Sequence, residues 1–150
     1  MNNKVLIREY KDQDKAVVLN LLKLNTPKHF ALDEEKDFIY YLEHELNKYF
    51  VLELEGSVVG CGGINFMDDK TSAKISWDIF HPDYQAMGLG TLLLNYRIEK
   101  LEELKNIKLI TVRTSQQAYK FYEKLGFEII KIVEDYWAKD FHLYEMKFTK

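Results

Sequence analysis

One cysteine, two prolines and seven glycines are all that 150 residues contain of the types that staple, break or bend a chain. A lone Cys61 excludes a disulfide framework and a multi-cysteine metal site, which fits a reducing compartment, by default the cytoplasm. Four histidines, His29, His44, His81 and His142, stand at no metal-ligand spacing, so no metal is expected. An excess of basic charge is missing too. Twenty-one Lys and Arg against 24 Asp and Glu leave a net charge of -3, which argues against nucleic acid as a partner. No apolar run approaches the roughly 20 residues of a membrane span, and "MNNKVLIREYKDQD" has neither the apolar core of a signal peptide nor a transit-peptide bias. The reading is of a soluble protein with no membrane partner, and it leaves room for a homodimer.

Repeats, low-complexity tracts and linkers are also lacking, while 47% of the residues are hydrophobic, enough for one domain over 1–150 with a sizeable core. "KVLIREY" at 4 to 10 reads as a strand. Asp12 is placed to cap a helix carrying Val17, Val18, Leu21 and Leu22 inward, and a second helix begins near Asp33. Residues 49–55 and 58–67 form a hairpin across Glu55-Gly56-Ser57, and "SAKISWDIF" adds a third antiparallel strand that Pro82 stops. Leu89, Leu92, Leu93 and Tyr96 then fall at helical spacing, followed by the buried strand "IKLITV". Ala118, Phe121, Tyr122 and Leu125 recur at i, i+3, i+4 and i+7, with Gly126 where a helix end often needs a left-handed residue. "FEIIKIVEDYW" and "FHLYEMKF" close the chain as a hairpin. The class is α+β with one mixed sheet.

The chemistry centres on "QAMGLGTLLL". Two glycines at a helix mouth cost roughly 1 kcal/mol each against alanine, so something must approach the main chain there. A dinucleotide fingerprint would need glycine at Leu93, and a phosphate P-loop would need Gly-Lys-Ser or Gly-Lys-Thr, so both fail on residues. What remains is a run of backbone N–H groups from Gln85 through Ala86, Met87, Gly88, Leu89 and Gly90 to Thr91, suited to an anionic group such as a pyrophosphate.

Gln85-x-x-Gly88-x-Gly90 after "IFHPDY", with "SQQAYKFYEKLGF" some 25 residues on, resembles two motifs of the GNAT superfamily of acetyl-CoA-dependent N-acetyltransferases, in their usual order. The order of elements is similar over nearly the whole chain, and the sharp matches lie between Trp77 and Phe127. The resemblance implies a mixed, mostly antiparallel sheet with helices on both faces and a central strand splay for the cofactor. It implies direct transfer of an acetyl group from acetyl-CoA to a primary amine of a small molecule or peptide, without a covalent enzyme intermediate. The alternatives are a non-catalytic acyl-CoA-binding module and a plain interaction domain.

Residue by residue, the resemblance assigns the pyrophosphate to the Gln85–Thr91 loop and the pantetheine to main-chain groups at Asp78, Ile79 and Phe80. Ser115 stands where asparagine is usual, and its hydroxyl keeps one hydrogen bond for the cofactor arm. Ala86 stands where glycine is common, acceptable if its φ is negative. Tyr122 matches the general acid, a phenol of pKa about 10 that protonates the leaving thiolate. It also lies on an apolar stripe, as a core tyrosine would.

Asp78 alternates with Ser76 and Lys74 on one strand face and is the candidate base or amine counter-ion, with a structural carboxylate as the alternative. Glu43 and Glu45 are weaker candidates. Cys61, in "VVGCGGI", reads as a buried structural thiol, and His81 as a turn or solvent-facing residue.

Overall fold

The computed structural model describes residues 4–149. Its centre is a seven-stranded sheet built from β1 (Val5–Glu9), β2 (Lys48–Leu54), β3 (Ser57–Phe66), β4 (Ser72–Phe80), β5 (Leu109–Thr114), β6 (Phe127–Ala138) and β7 (Phe141–Phe148). The spatial order is β1-β2-β3-β4-β5-β7-β6, and only the β4–β5 pair is parallel. A parallel neighbour needs a crossover connection. Here α3 (Leu89–Glu102) supplies it, while β2, β3 and β4 follow one another as a meander.

Alternation along β2 puts two cores on opposite faces of the sheet. Phe50 and Leu52 join Leu93, Leu94, Ile98 and Leu101 of α3. Tyr49 and Val51 join Val18, Leu21 and Leu22 of α1 (Lys15–Leu24) and Phe38, Tyr41 and Leu42 of α2 (Glu34–His44). Cys61 lies in this second core, where burial pushes its thiol up to about 12, so it stays protonated and inert. The expected α1 start moves by two residues. Asp12 opens a short 3₁₀ turn and Asp14 stands at the N-cap position of α1, its side chain making no capping hydrogen bond to the helix. The Asp14 carboxylate accepts from Arg8 Nη1 and Nη2, each at 2.9 Å. The short α4 (Tyr119–Lys124) packs on β6, and Gly126 follows it at φ 104, the left-handed residue its position predicts.

Two features of β4 position the site. It pairs with β5 only from Ser72 to Ile75, against Leu109 to Val112, and beyond Ile75 no register joins the two strands. The sheet therefore opens there as a wedge. Within the same stretch Cys61 faces Ile79 while Gly63 faces Ser76, so Gly62 stands opposite both Trp77 and Asp78. That is a β-bulge, with Trp77 at φ 51, a strained value for a bulky side chain. The extra residue shifts the phase of the strand. Ile75 belongs to the α3 side and Ile79 to the α1–α2 side, although regular alternation would place them together. Asp78 accordingly does not share a face with Ser76 and Lys74. It turns toward α3 and α4.

Candidate active site

Asp78 is the hub of the wedge. Its Oδ1 accepts from Arg97 Nη1 at 2.6 Å and its Oδ2 accepts from the Tyr122 hydroxyl at 2.5 Å. Three elements, β4, α3 and α4, thus meet through one carboxylate. Arg97 is fully buried on α3, and the same Nη1 also donates to Gly63 O at 3.1 Å while Nε donates to Leu93 O at 3.2 Å. A Cβ at Gly62 would collide with Asp78 Oδ1 and Arg97 Nη1, so glycine is what lets the pair lie over the bulge. Burial pulls the Arg97 guanidinium toward neutrality, and the adjacent Asp78 carboxylate outweighs it and holds the charge.

Tyr122 is 4% exposed. Burial and then the Asp78 charge raise its phenol well above its ordinary value, so it holds its proton. The ring packs edge-on against Phe121 and Phe127, so Tyr122 is a core tyrosine and a wedge-facing hydroxyl at once.

The glycine-rich loop folds as follows. Pro82–Met87 forms a 3₁₀ turn with His81 at its cap, where Nδ1 accepts from Asp83 N at 3.1 Å. Gly88 takes φ 77 and α3 starts at Leu89, with Leu92 N the first to bond back, to Gly88 O. The amides of Leu89, Gly90 and Thr91 lie in the first turn, where no intrahelical acceptor is available. Ala86 keeps a non-positive φ, as required of it. The Gln85 side chain braces the loop: Nε2 donates to Asn25 Oδ1 at 2.9 Å and Phe80 O at 3.1 Å. Asn25 Nδ2 donates to Phe80 O as well, so that carbonyl is already engaged. Met87 is exposed, and the Leu89 side chain is buried in the α3 core while its amide stays in the helix mouth.

One cleft of about 630 Å³ joins these parts. Asp78, Ile79, Phe80, Gly88, Thr91 and Tyr122 all line it. Ser115 lines it from the end of β5, although its Oγ also accepts from Gln117 N at 3.2 Å. On the far side of the sheet the cleft continues along α2, where Glu34 and Glu45 reach it. Glu43 does not: it is half-exposed and pairs with Lys15. Arg97 and Glu34 carry weight that the spacing alone hid. Arg97 sits in "LLLNYRIEKL" four residues after Leu93 and four before Leu101, a charge on the buried face and the one available signal. Glu34 reads as an ordinary acidic first-turn residue.

The family model "Acetyltransferase (GNAT) family" matches residues 17–127. The chain belongs to the GNAT acetyltransferase family. An N-alpha-acetyltransferase of Sulfurisphaera tokodaii is 30% identical over 136 residues, 79% of this chain and 78% of the relative. An amino-acid acetyltransferase of Pasteurella multocida is 29% identical over 93 residues, 62% of this chain and 21% of the relative. The chain thus spans about a fifth of the amino-acid acetyltransferases that it matches. In fold, an aminoglycoside 6'-N-acetyltransferase solved with coenzyme A superimposes with a TM-score of 0.76 at 17% identity, covering 95% of both chains.

Residues of this GNAT chain fit acetyl-CoA on their own geometry. The strand wedge offers unpaired β4 backbone, and the helix mouth offers first-turn amides with the positive end of the α3 dipole. Space above Gly88 is open, with no atom within 4 Å of where a Cβ would stand. A Cβ at Gly90 would meet Phe121 Cζ at 3.2 Å. Among the described residues no cluster of metal-ligating side chains occurs.

Proposed function

We propose that the chain forms one N-acetyltransferase domain over 1–150 that moves the acetyl group of acetyl-CoA directly to a primary amine. The observation that carries this reading is the Arg97–Asp78–Tyr122 chain at the open end of the β4–β5 wedge. Acetyl-CoA supplies the thioester whose carbon the amine attacks. Thr91, Gly90 and the other helix-mouth groups from Gln85 through Ala86, Met87, Gly88 and Leu89 hold its pyrophosphate, and Ile79, Phe80 and Ser115 border its arm.

Asp78 and Tyr122 act as a proton relay. Asp78, paired with Arg97, accepts the proton that the acceptor amine loses as it attacks. Once neutral, Asp78 donates to the Tyr122 oxygen, and the Tyr122 proton is released to the departing sulfur. Burial is the larger cause of the raised Tyr122 pKa and stays, while Asp78 protonation removes the second, its charge, so giving up the phenol proton becomes easier as the base is filled. An acceptor that arrives as ammonium first gives one proton to solvent, and the proton lost as the C–N bond forms is the one relayed through Asp78 and Tyr122 to the sulfur as the C–S bond breaks.

The reading includes a cytoplasmic protein without nucleic-acid or membrane partners, and it leaves room for a homodimer. A net charge of -3 argues against a nucleic-acid partner, and no helix among the described residues is long and apolar enough to cross a membrane. The deciding experiment is thiol release from acetyl-CoA across polyamines, amino acids, aminoglycosides and N-terminal peptides, together with melting curves with and without acetyl-CoA. Stabilisation by acetyl-CoA and amine-dependent thiol release are expected. Stabilisation without release under any amine would leave a binding module in place of an enzyme.

A further inference from the structure

The α2 face that borders the cleft reads Glu34, Phe38, Tyr41: i, i+4 and i+7, one stripe of a helix. Phe38 and Tyr41 pack at 4.9 and 6.1 Å from Trp77, the residue of the β4 bulge, and Phe30 stacks on the same indole at 6.1 Å and 15°. Glu34 therefore stands one helical turn beyond an aromatic wall. It is 7% exposed and still lines the cleft. Its Oε2 accepts from Ala31 N at 2.8 Å, and its Oε1 has no protein donor among the described residues.

A carboxylate so largely buried, with one oxygen bonded to Ala31 N and the other open to the cleft, gains from a cation that enters the cleft to complete it. No lysine or arginine lies within ion-pair distance of it among the described residues. Charged and titratable groups near it are Asp37 on its own helix, His29 on the preceding loop, and the exposed Lys23–Glu35 pair between α1 and α2, neither member of which lines the cleft. Burial lowers the His29 pKa and so favours its neutral form. Burial raises Glu34 itself to about 7.

Asp78 turns toward α3 and α4, whereas Glu34 lies on the α1–α2 side beyond Trp77. The two carboxylates thus serve different parts of one acceptor. Resting on the transferase reading above, we infer that the acceptor is a diamine: its reacting nitrogen meets Asp78 in the wedge, and its second, protonated nitrogen pairs with Glu34 at the end of the Phe30–Trp77 wall. An alkyl chain between the two nitrogens suits the aromatic surface, and an ammonium beside these rings gains from their faces.

The test compares α,ω-diaminoalkanes of three to six carbons with the monoamines and ω-amino acids of the same lengths, in thiol-release kinetics on the parent and on Glu34→Gln. In the parent, the best diamine is expected to exceed its monoamine in kcat/KM by tenfold or more, through KM, and the ω-amino acid to be poorest. In Glu34→Gln that preference is expected to collapse below threefold, with the diamine KM rising at least tenfold and its kcat moving less than threefold. A parent that treats diamine and monoamine alike, or acetylates neither, overturns the inference even where the variant fails to fold. A preference that survives intact in a folded Glu34→Gln overturns it too. Melting with acetyl-CoA keeps the two readings apart: a retained cofactor shift with peptide acetylation and no diamine preference sinks only the Glu34 inference, whereas no shift and no thiol release sink the transferase reading itself.

Discussion

Removing the Tyr122 hydroxyl separates the residue's two roles. Tyr122→Phe keeps the ring packed against Phe121 and Phe127 but strips Asp78 Oδ2 of its donor, so the fold is expected to lose about 1–3 kcal/mol. Turnover should fall further, by about 10²- to 10⁴-fold, if the hydroxyl is the acid. Measuring kcat, acetyl-CoA affinity and Tm on one preparation checks this, and a kcat within about threefold of the parent would return Tyr122 to the core alone. Arg97 makes the complementary case. Arg97→Met leaves the Asp78 carboxylate without its counter-charge and is expected to cost about 3–5 kcal/mol in urea unfolding. Adding Asp78→Asn to that variant removes the orphaned charge and should restore a large part of the loss. Simple additivity of the two substitutions would mean that the ion pair carries no coupling.

Among the elements, the helix mouth makes the sharpest prediction. Gly88 has space around it but sits at φ 77, so Gly88→Val costs about 1–3 kcal/mol of backbone strain while putting a branched side chain where the pyrophosphate is proposed to lie. The acetyl-CoA melting shift should vanish in a protein that still unfolds cooperatively, and an unchanged shift would remove the cradle. These glycines, the α4 stripe and the strand meander were all legible in the sequence, because turn chemistry and periodicity are local. The bulge at Trp77 was not. A single inserted residue changes no composition, yet it moves Asp78 to the opposite face from Ser76 and brings it to Arg97 and Tyr122. The start of α1 at Asp14 in place of Asp12 has a similar cause: the Asp14 carboxylate is taken by Arg8 on another element and by Lys11 N, which local capping rules do not see. Arg97 and Glu34 escaped for the same reason, since a buried charge is explained by partners or openings far away in the chain.

At the scale of the whole molecule, stability should depend on pH through Glu34, whose carboxyl burial lifts from 4.5 to about 7. A group with a raised folded-state pKa contributes stability that is complete below its unfolded value and is lost as pH climbs through the folded one. The parent therefore gives up this contribution between about pH 4.5 and 7, as the carboxylate is forced to charge in an apolar setting. Glu34→Gln retains a carbonyl that can accept from Ala31 N, and it has nothing to ionise. The whole shift corresponds to about 3 kcal/mol, and screening by water in the open cleft reduces it to about 1–2 kcal/mol. The variant should match the parent's Tm near pH 4.5 to within a degree or two and exceed it at pH 8 by about 2–6 °C. Other carboxylates do not mimic the pattern: Asp14, held by Arg8, is shifted downward, so its contribution fades only at acid pH and is present in both proteins. A diamine should close the gap at pH 8 by raising the parent's Tm alone, since only the charged Glu34 gains from a second ammonium. Parallel melting curves for parent and variant from pH 4.5 to 8, unmoved by diamine, would show that Glu34 sits in water, and that the far end of the cleft selects its acceptor by some other contact.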